Sequence, residues 1–233
     1  MKLSNLLIFL VCSLMTSCSS QSIFDFSKIK MPLDASEVLK PDFQVKKSKL
    51  KLDKLSRYTS EDKNMFVFDK ITFLKSFSDE YQSSTSVEFF IDDNLGQVLG
   101  AHLKTFDDKN GRELYKRIQE LFGAPNYYNK NEDFFNGAWE VDNTLFLLKQ
   151  NYTTKIGGIQ TMSSNLIVLR YEKEELINHF LFEGFSKYLD YIHARKEVKE
   201  QKKYTYLDFV KNQEDDFFGK NKYQEELENN LPL

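Results

Sequence analysis

His179, Glu183, Ser186, Asp190 and His193 recur at intervals of three or four residues, the spacing that brings side chains onto one stripe of an α-helix. Serine, histidine and aspartate on one stripe are the parts of a nucleophilic triad, in which the histidine must stand between the other two. Here Asp190 lies between Ser186 and His193, and those two are roughly 10 Å apart along a helix axis, so order and distance both exclude a triad. His179 and His193 are about 21 Å apart by the same geometry and cannot share a metal ion. His179 and Glu183, at positions i and i+4, can supply two ligands and are the metal candidates of the chain, short of the tetrahedral set that a structural ion requires. On the other side Ile177, Phe180, Leu181, Gly184, Phe185, Tyr188, Tyr191 and Ile192 make an apolar stripe, so the polar stripe reads as the solvated side of an amphipathic helix.

Other chemistry-bearing patterns fail on spacing. Asp107-Asp108-Lys109-Asn110-Gly111 has the look of a calcium loop. With Gly111 at the turn position, however, the first ligand would be Phe106 and the last Arg117, so it reads as the turn that starts a helix. Ser27-Lys28-Ile29-Lys30 matches a serine–lysine motif without companion motifs. The nine glycines form no phosphate loop, and neither a nucleophile elbow nor a His-Glu-x-x-His zinc motif occurs. Asp92-Asp93, Asp107-Asp108 and Asp215-Asp216 are adjacent pairs at turns, where the carboxylates solvate the chain rather than form an acid–base dyad. His102 alternates with Ala101 and Leu103 and is expected on the exposed side of its strand or under the C-terminal tail, while Trp139 is expected in the core. With 32 basic and 35 acidic residues, the net charge of −3 gives no field for gathering nucleic acid. Both cysteines, Cys12 and Cys18, precede residue 20, which excludes a disulfide framework, a cysteine-ligated zinc and a cysteine nucleophile downstream. No cofactor is implied.

Cys18 has a different chemistry available. Met1-Lys2 is followed by the apolar run Leu3 to Leu14, interrupted by Ser4, Asn5 and Ser13, and then by Met15-Thr16-Ser17-Cys18. A basic start, a short apolar core and small residues before the cut make a secretory signal over residues 1–17, too short for a bilayer span of about 20 apolar residues. Its end resembles the lipobox of bacterial lipoproteins, with Thr16, Ser17 and Cys18 in place and Met15 where leucine is usual. The resemblance implies that Cys18 is diacylated on sulfur, freed by cleavage and acylated again on its new amine. Such a set of acyl chains makes a permanent anchor where a single chain holds only marginally. Ser19, rather than aspartate, follows the cysteine, which by the sorting rule of enteric-type bacteria implies release to the outer membrane.

The remaining elements have to position these residues. Residues 18–59 read as a lipid-anchored tether, interrupted by Pro32 and Pro41. Over residues 40–57, Lys40, Lys46, Lys47, Lys49, Lys51, Lys54 and Arg57 outnumber Asp42 and Asp53, a net charge of +5 beside the anchor. Residues 60–203 read as the folded domain. Met65 to Phe68 and Ile71 to Phe77 are short apolar runs whose periodicity does not separate helix from strand. Val87 to Ile91 and Val98 to Thr105 flank the turn Asp92 to Gly96 and make a hairpin; Ala138 to Val141 and Leu145 to Lys149 do the same about Asp142-Asn143. Leu166 to Tyr171 is apolar on both faces and therefore central. Asn110 with Glu113 caps a short helix that buries Leu114, Ile118, Leu121 and Phe122 and stops at Gly123 and Pro125. The two stripes described above run along a single long helix from Glu174 to Lys202, acidic at its start and basic at its end. Residues 204–233 form an acidic, aromatic segment with a capping box at Thr205 and Asp208; Phe209, Phe217 and Phe218 are its candidate partner surface.

The expected architecture is α+β: an antiparallel sheet of about five strands with a short helix and one long C-terminal amphipathic helix. The expected role is that of a non-enzymatic binding or scaffold protein, held in the bacterial envelope by acyl chains on Cys18 and working on an envelope protein partner. An envelope hydrolase whose site only the fold assembles, and a lipoprotein inhibitor or immunity protein, are the alternatives.

Overall fold

The computed structural model describes residues 22–213 apart from 75–76, 79–82, 157, 183 and 202; Cys18, Glu183, Phe217 and Phe218 lie outside the described residues. The strands of the N-terminal half are β1 (Leu33–Asp34), β2 (Val45–Leu52), β3 (Leu55–Ser60), β4 (Val67–Phe68), β5 (Ile71–Thr72), β6 (Phe77–Ser78), β7 (Ser83–Ser84), β8 (Ser86–Asp92) and β9 (Gln97–Thr105). Helix α1 (Asp108–Phe122) leads to β10 (Tyr127–Lys130), β11 (Phe134–Val141), β12 (Thr144–Ile156) and β13 (Ile159–Arg170), and then to α2 (Glu174–Leu181), α3 (Ser186–Lys196) and α4 (Tyr206–Lys211). One antiparallel sheet runs in the order β10-β11-β12-β13-β9-β8-β3-β2, and β1 joins β9 at Leu33 and Val98, where the pairing with β13 has ended at Gly100. β4 with β5, and β6 with β7, form separate two-residue ladders.

Both faces of this sheet carry a core, which is why its strands read as unbroken apolar runs. Phe146, Leu148, Leu166, Val168 and Phe89 point to one face, where residues 22–43, residues 61–73 and α1 cover them with Phe24, Phe26, Val38, Met65, Phe68, Leu114 and Ile118. Leu145, Leu147, Ile167, Leu169 and Phe90 point to the other, under Leu176, Leu181, Phe185, Tyr188 and Phe209 of the three C-terminal helices.

Both hairpins form as the pattern indicates, β13 is central, and Thr205 and Asp208 exchange the two bonds of a capping box. Helix α1 ends at Gly123, which has φ 80° and whose carbonyl accepts from Trp139 Nε1 at 3.0 Å. Its cap is Asp107, not Asn110: the Asp107 carboxylate accepts from the Asn110 amide at 3.1 Å. Gly111, the residue that suggested a calcium loop, is a close helix–sheet contact. A Cβ there would come within 2.4 Å of Met162 Cε, and its carbonyl accepts from buried Gln150 Nε2 at 2.7 Å.

Three expectations are corrected. The fold is mainly β rather than α+β, with nine strands in the sheet instead of about five. From Ser22 onward the expected tether is part of the fold: residues 22–43 bury Phe24, Phe26, Ile29, Val38 and Phe43, and residues 45–60 are β2 and β3. The lysines that suggested a solvated spacer, Lys46, Lys47, Lys49 and Lys51, are exposed on an edge strand, where charge blocks pairing with another chain. Finally, among the described residues no single long helix runs from Glu174 toward Lys202. Gly184 has φ 88° and breaks the run between α2 and α3, and α3 stops at Lys196. The Asn136 side chain lies 2.8 Å from where a Cβ at this glycine would stand, and its Nδ2 donates to the Gly184 carbonyl at 3.1 Å.

Candidate functional site

The C-terminal helices cover only part of their face of the sheet. Beyond them the strand registers set two polar rows side by side. In one, Glu88 on β8 stands opposite His102 on β9. In the next, Ser86, Lys104, Asn165, Lys149 and Asn136 are direct neighbours across β8, β9, β13, β12 and β11. These rows make a polar floor, and Arg57 on β3 donates to Glu88 at its edge. Helix α2 walls it on one side, so that His102, Lys104, Lys149, Asn165, Phe180 and Phe182 share a cleft of about 700 Å³.

The charges of the floor are unequally committed. The Arg57 guanidinium donates to one Glu88 carboxylate oxygen, and His102 Nδ1 lies 3.8 Å from the other. Burial alone would raise the Glu88 carboxyl, but His102 and Arg57 outweigh it and hold the group at about 2. A carboxylate so stabilised is a weak base near neutrality. His102 Nε2 lies 3.0 Å from Asn165 Oδ1, and Phe180 meets the imidazole edge-on with ring centres 5.7 Å apart. Lys104 contrasts with this network: its Nζ lies over the Phe106 ring at 5.2 Å, and it has no carboxylate partner among the described residues. Phe182, 79% exposed, forms an apolar rim.

His102 is thus half-buried beneath α2 rather than exposed. His179 is exposed at the end of α2, with its ring 4.8 Å from that of Phe180, and the helix stops at Leu181 before reaching position 183. Among the described residues no group of three or more His, Cys, Asp or Glu side chains is placed to hold a metal. Phe209 is no partner surface: it is 3% exposed, between Tyr191 and Tyr206 at 6.0 and 5.9 Å. Ser186, Asp190 and His193 all lie on α3 and outside the cleft.

A second polar group closes the helical layer instead of opening it. Glu140 on β11 accepts from the Tyr188 hydroxyl and from Arg195 Nη1, the latter at 2.7 Å, and the Arg195 guanidinium lies 4.6 Å from the Tyr171 ring centre. Burial first, then the Glu140 charge, pushes the Tyr188 phenol well above its usual range, so it remains a donor and fixes α3 on the sheet.

Glu88, Lys104 and Asn165 were not singled out by sequence reasoning, and Arg57 was counted only in the basic cluster of the expected tether. The available signal was the hairpin turn at residues 93–96, about which Glu88 and His102 are nearly symmetric. A bulge between Phe90 and Ile91 shifts the pairing by one residue and hides it. No protein-family model matches the chain, and comparison with curated proteins and with solved structures returns no match.

Proposed function

We propose that this chain is a lipid-anchored protein of a bacterial envelope, held in the outer membrane through Cys18, which binds an anionic ligand with a planar apolar part in the cleft beside α2. The observation that carries the ligand class is the division of charge. Glu88 is paired with Arg57 and lies 3.8 Å from His102, whereas Lys104 lines the cleft with no acidic partner among the described residues, beside the rings of Phe106, Phe180 and Phe182. An anion accepted by Lys104 would gain a charge-assisted hydrogen bond, and its apolar part would lie against the aromatic rim. A small molecule and an acidic, aromatic stretch of an envelope protein present the same chemistry to this cleft.

Titration with 1-anilinonaphthalene-8-sulfonate, an anionic aromatic probe, tests the site. Saturable binding is expected, weakened about five- to tenfold by Lys104→Ala, as one charge-assisted bond predicts, and unaffected by Lys130→Ala on β10. Absence of saturable binding, or equal affinity of the Lys104→Ala protein, refutes the ligand class. The anchor is tested separately: Cys18→Ala should move the protein to a soluble envelope fraction and abolish acyl labelling, and unchanged membrane retention of the unlabelled variant refutes it.

A further inference from the structure

The fold begins almost at the anchor. Ser22 Oγ donates to Asp42 Oδ2 at 2.9 Å, and the Phe24 amide donates to the Asn64 carbonyl at 2.9 Å. The Phe24 ring is 8% exposed and sits edge-on against Phe26, Phe43 and Phe89, with ring centres 5.4, 6.5 and 5.3 Å away. Only residues 19–21 separate this fixed point from Cys18. Fully extended, the chain from Cys18 to Ser22 reaches at most about 14 Å. A domain of about 190 residues has a radius of gyration near 16 Å, hence a diameter of about 40 Å. Turning its far side to the bilayer would need a link about as long as that diameter.

We infer that the domain has no free spacer and lies directly on the lipid headgroups, with the face around Ser22 toward the bilayer. This rests on the acylation of Cys18 proposed above. Among the described residues no helix is long and apolar enough to cross a membrane. The face carries Ile23 and Leu39, 65% and 41% exposed, which can enter the interface. Lys28 and Lys40 line a cleft with Ile23 and are ion-paired to Asp25 and Glu37 at 3.1 and 2.7 Å, so the face is nearly neutral and the short link, not charge, holds it there.

The orientation fixes where the ligand cleft points. Phe24 covers Phe89 on one side of β8, and successive strand residues point to opposite faces, so Glu88 and its cleft lie on the other side of the same strand. The cleft therefore opens away from the bilayer.

No cysteine follows Cys18, so one introduced thiol is the sole labelling site of the mature acylated protein. Ile23→Cys, Leu39→Cys and Phe182→Cys, each carrying a fluorophore, are placed in phosphatidylethanolamine–phosphatidylglycerol vesicles containing a headgroup nitroxide lipid. Strong quenching is expected at positions 23 and 39, and at least severalfold less at 182. Inserting twenty Gly/Ser residues between Ser20 and Gln21 adds a coil of about 25 Å and should bring position 23 down to the level of 182. Equal quenching at 23 and 182 without the insert, or undiminished quenching at 23 with it, overturns the inference. Mass spectrometry of the mature N-terminus reads acylation independently, so a failed anchor is distinguished from an anchored domain that stands free.

Discussion

Replacing Gly184 by alanine distinguishes two short helices from one long one by the sign of the effect. In a continuous helix over residues 174–202, glycine is the worst non-proline residue and alanine the best, so Gly184→Ala would stabilise the protein by about 1 kcal/mol. In the structure Gly184 has φ 88°, where a side chain costs about 1–2 kcal/mol. The new Cβ would also lie 2.8 Å from Asn136 Nδ2 and displace the amide that donates to the Gly184 carbonyl at 3.1 Å. Asn136 is 4% exposed, so leaving its amide unpaired adds about 1–2 kcal/mol. The expected destabilisation is therefore about 2–4 kcal/mol. Urea unfolding followed by the fluorescence of Trp139, the only tryptophan, measures it without a label. In a double-mutant cycle with Asn136→Ala, the two losses should fall short of additivity by about 1 kcal/mol or more, because removing Asn136 removes the obstruction. A neutral or stabilising Gly184→Ala, or strict additivity in the cycle, would falsify the account of why the helix breaks.

Glu88 supplies a pH dependence. Its carboxyl is held at about 2 against an ordinary 4.5, so its contribution is complete above pH 4.5 and disappears as the pH falls toward 2. The difference amounts to at most about 3 kcal/mol, reduced to about 1–2 kcal/mol by partial exposure, and the stability of Glu88→Gln should fall less steeply over that interval; parallel curves would show that Arg57 and His102 do not hold the charge. At the edge of the sheet, Lys49→Val with Lys51→Val should turn β2 into a pairing surface and produce concentration-dependent dimers in sedimentation velocity, whereas a monomer throughout would mean that its lysines do not guard the edge.

The parts of the fold that were legible in the sequence are those whose signals are local. Two hairpins announce themselves by turn residues, α1 by Gly123, and Trp139 by its apolar surroundings. The illegible parts depend on distant partners. β2 and β3 look solvated because an edge strand needs lysines and because Ser56 and Ser60, 1% and 3% exposed, hide the inward pattern of β3. Two helices joined by a turn at Gly184 present the same apolar spacing as one, and only Asn136, 48 residues earlier, shows why the turn must be there. Phe209 resembles a surface aromatic until Tyr191 and Tyr206 are found against it. His102 was noticed, but its partners Glu88 and Asn165 come from two other strands, and Arg57, which donates to Glu88, belonged to the supposed tether.

The cleft follows from how the two faces of the sheet are closed. A nine-stranded sheet presents more area than three short helices can cover, so part of the C-terminal face has to be polar for the fold to be soluble at that point. Solvation alone would be satisfied by scattered serines and threonines. Instead Arg57, Glu88, His102 and Asn165 join in one network, and Lys104 stands beside it with no carboxylate partner among the described residues. Half-burying that network beneath Phe180 strengthens its electrostatics by keeping part of the water away. The N-terminal face cannot perform the same role, because residues 22–43, residues 61–73 and α1 fill it with apolar side chains. The proposed orientation uses this asymmetry: Phe24 packs on Phe89 of β8 on the face assigned to the bilayer, and Glu88, next to Phe89 on the same strand, belongs to the opposite face, assigned to the ligand.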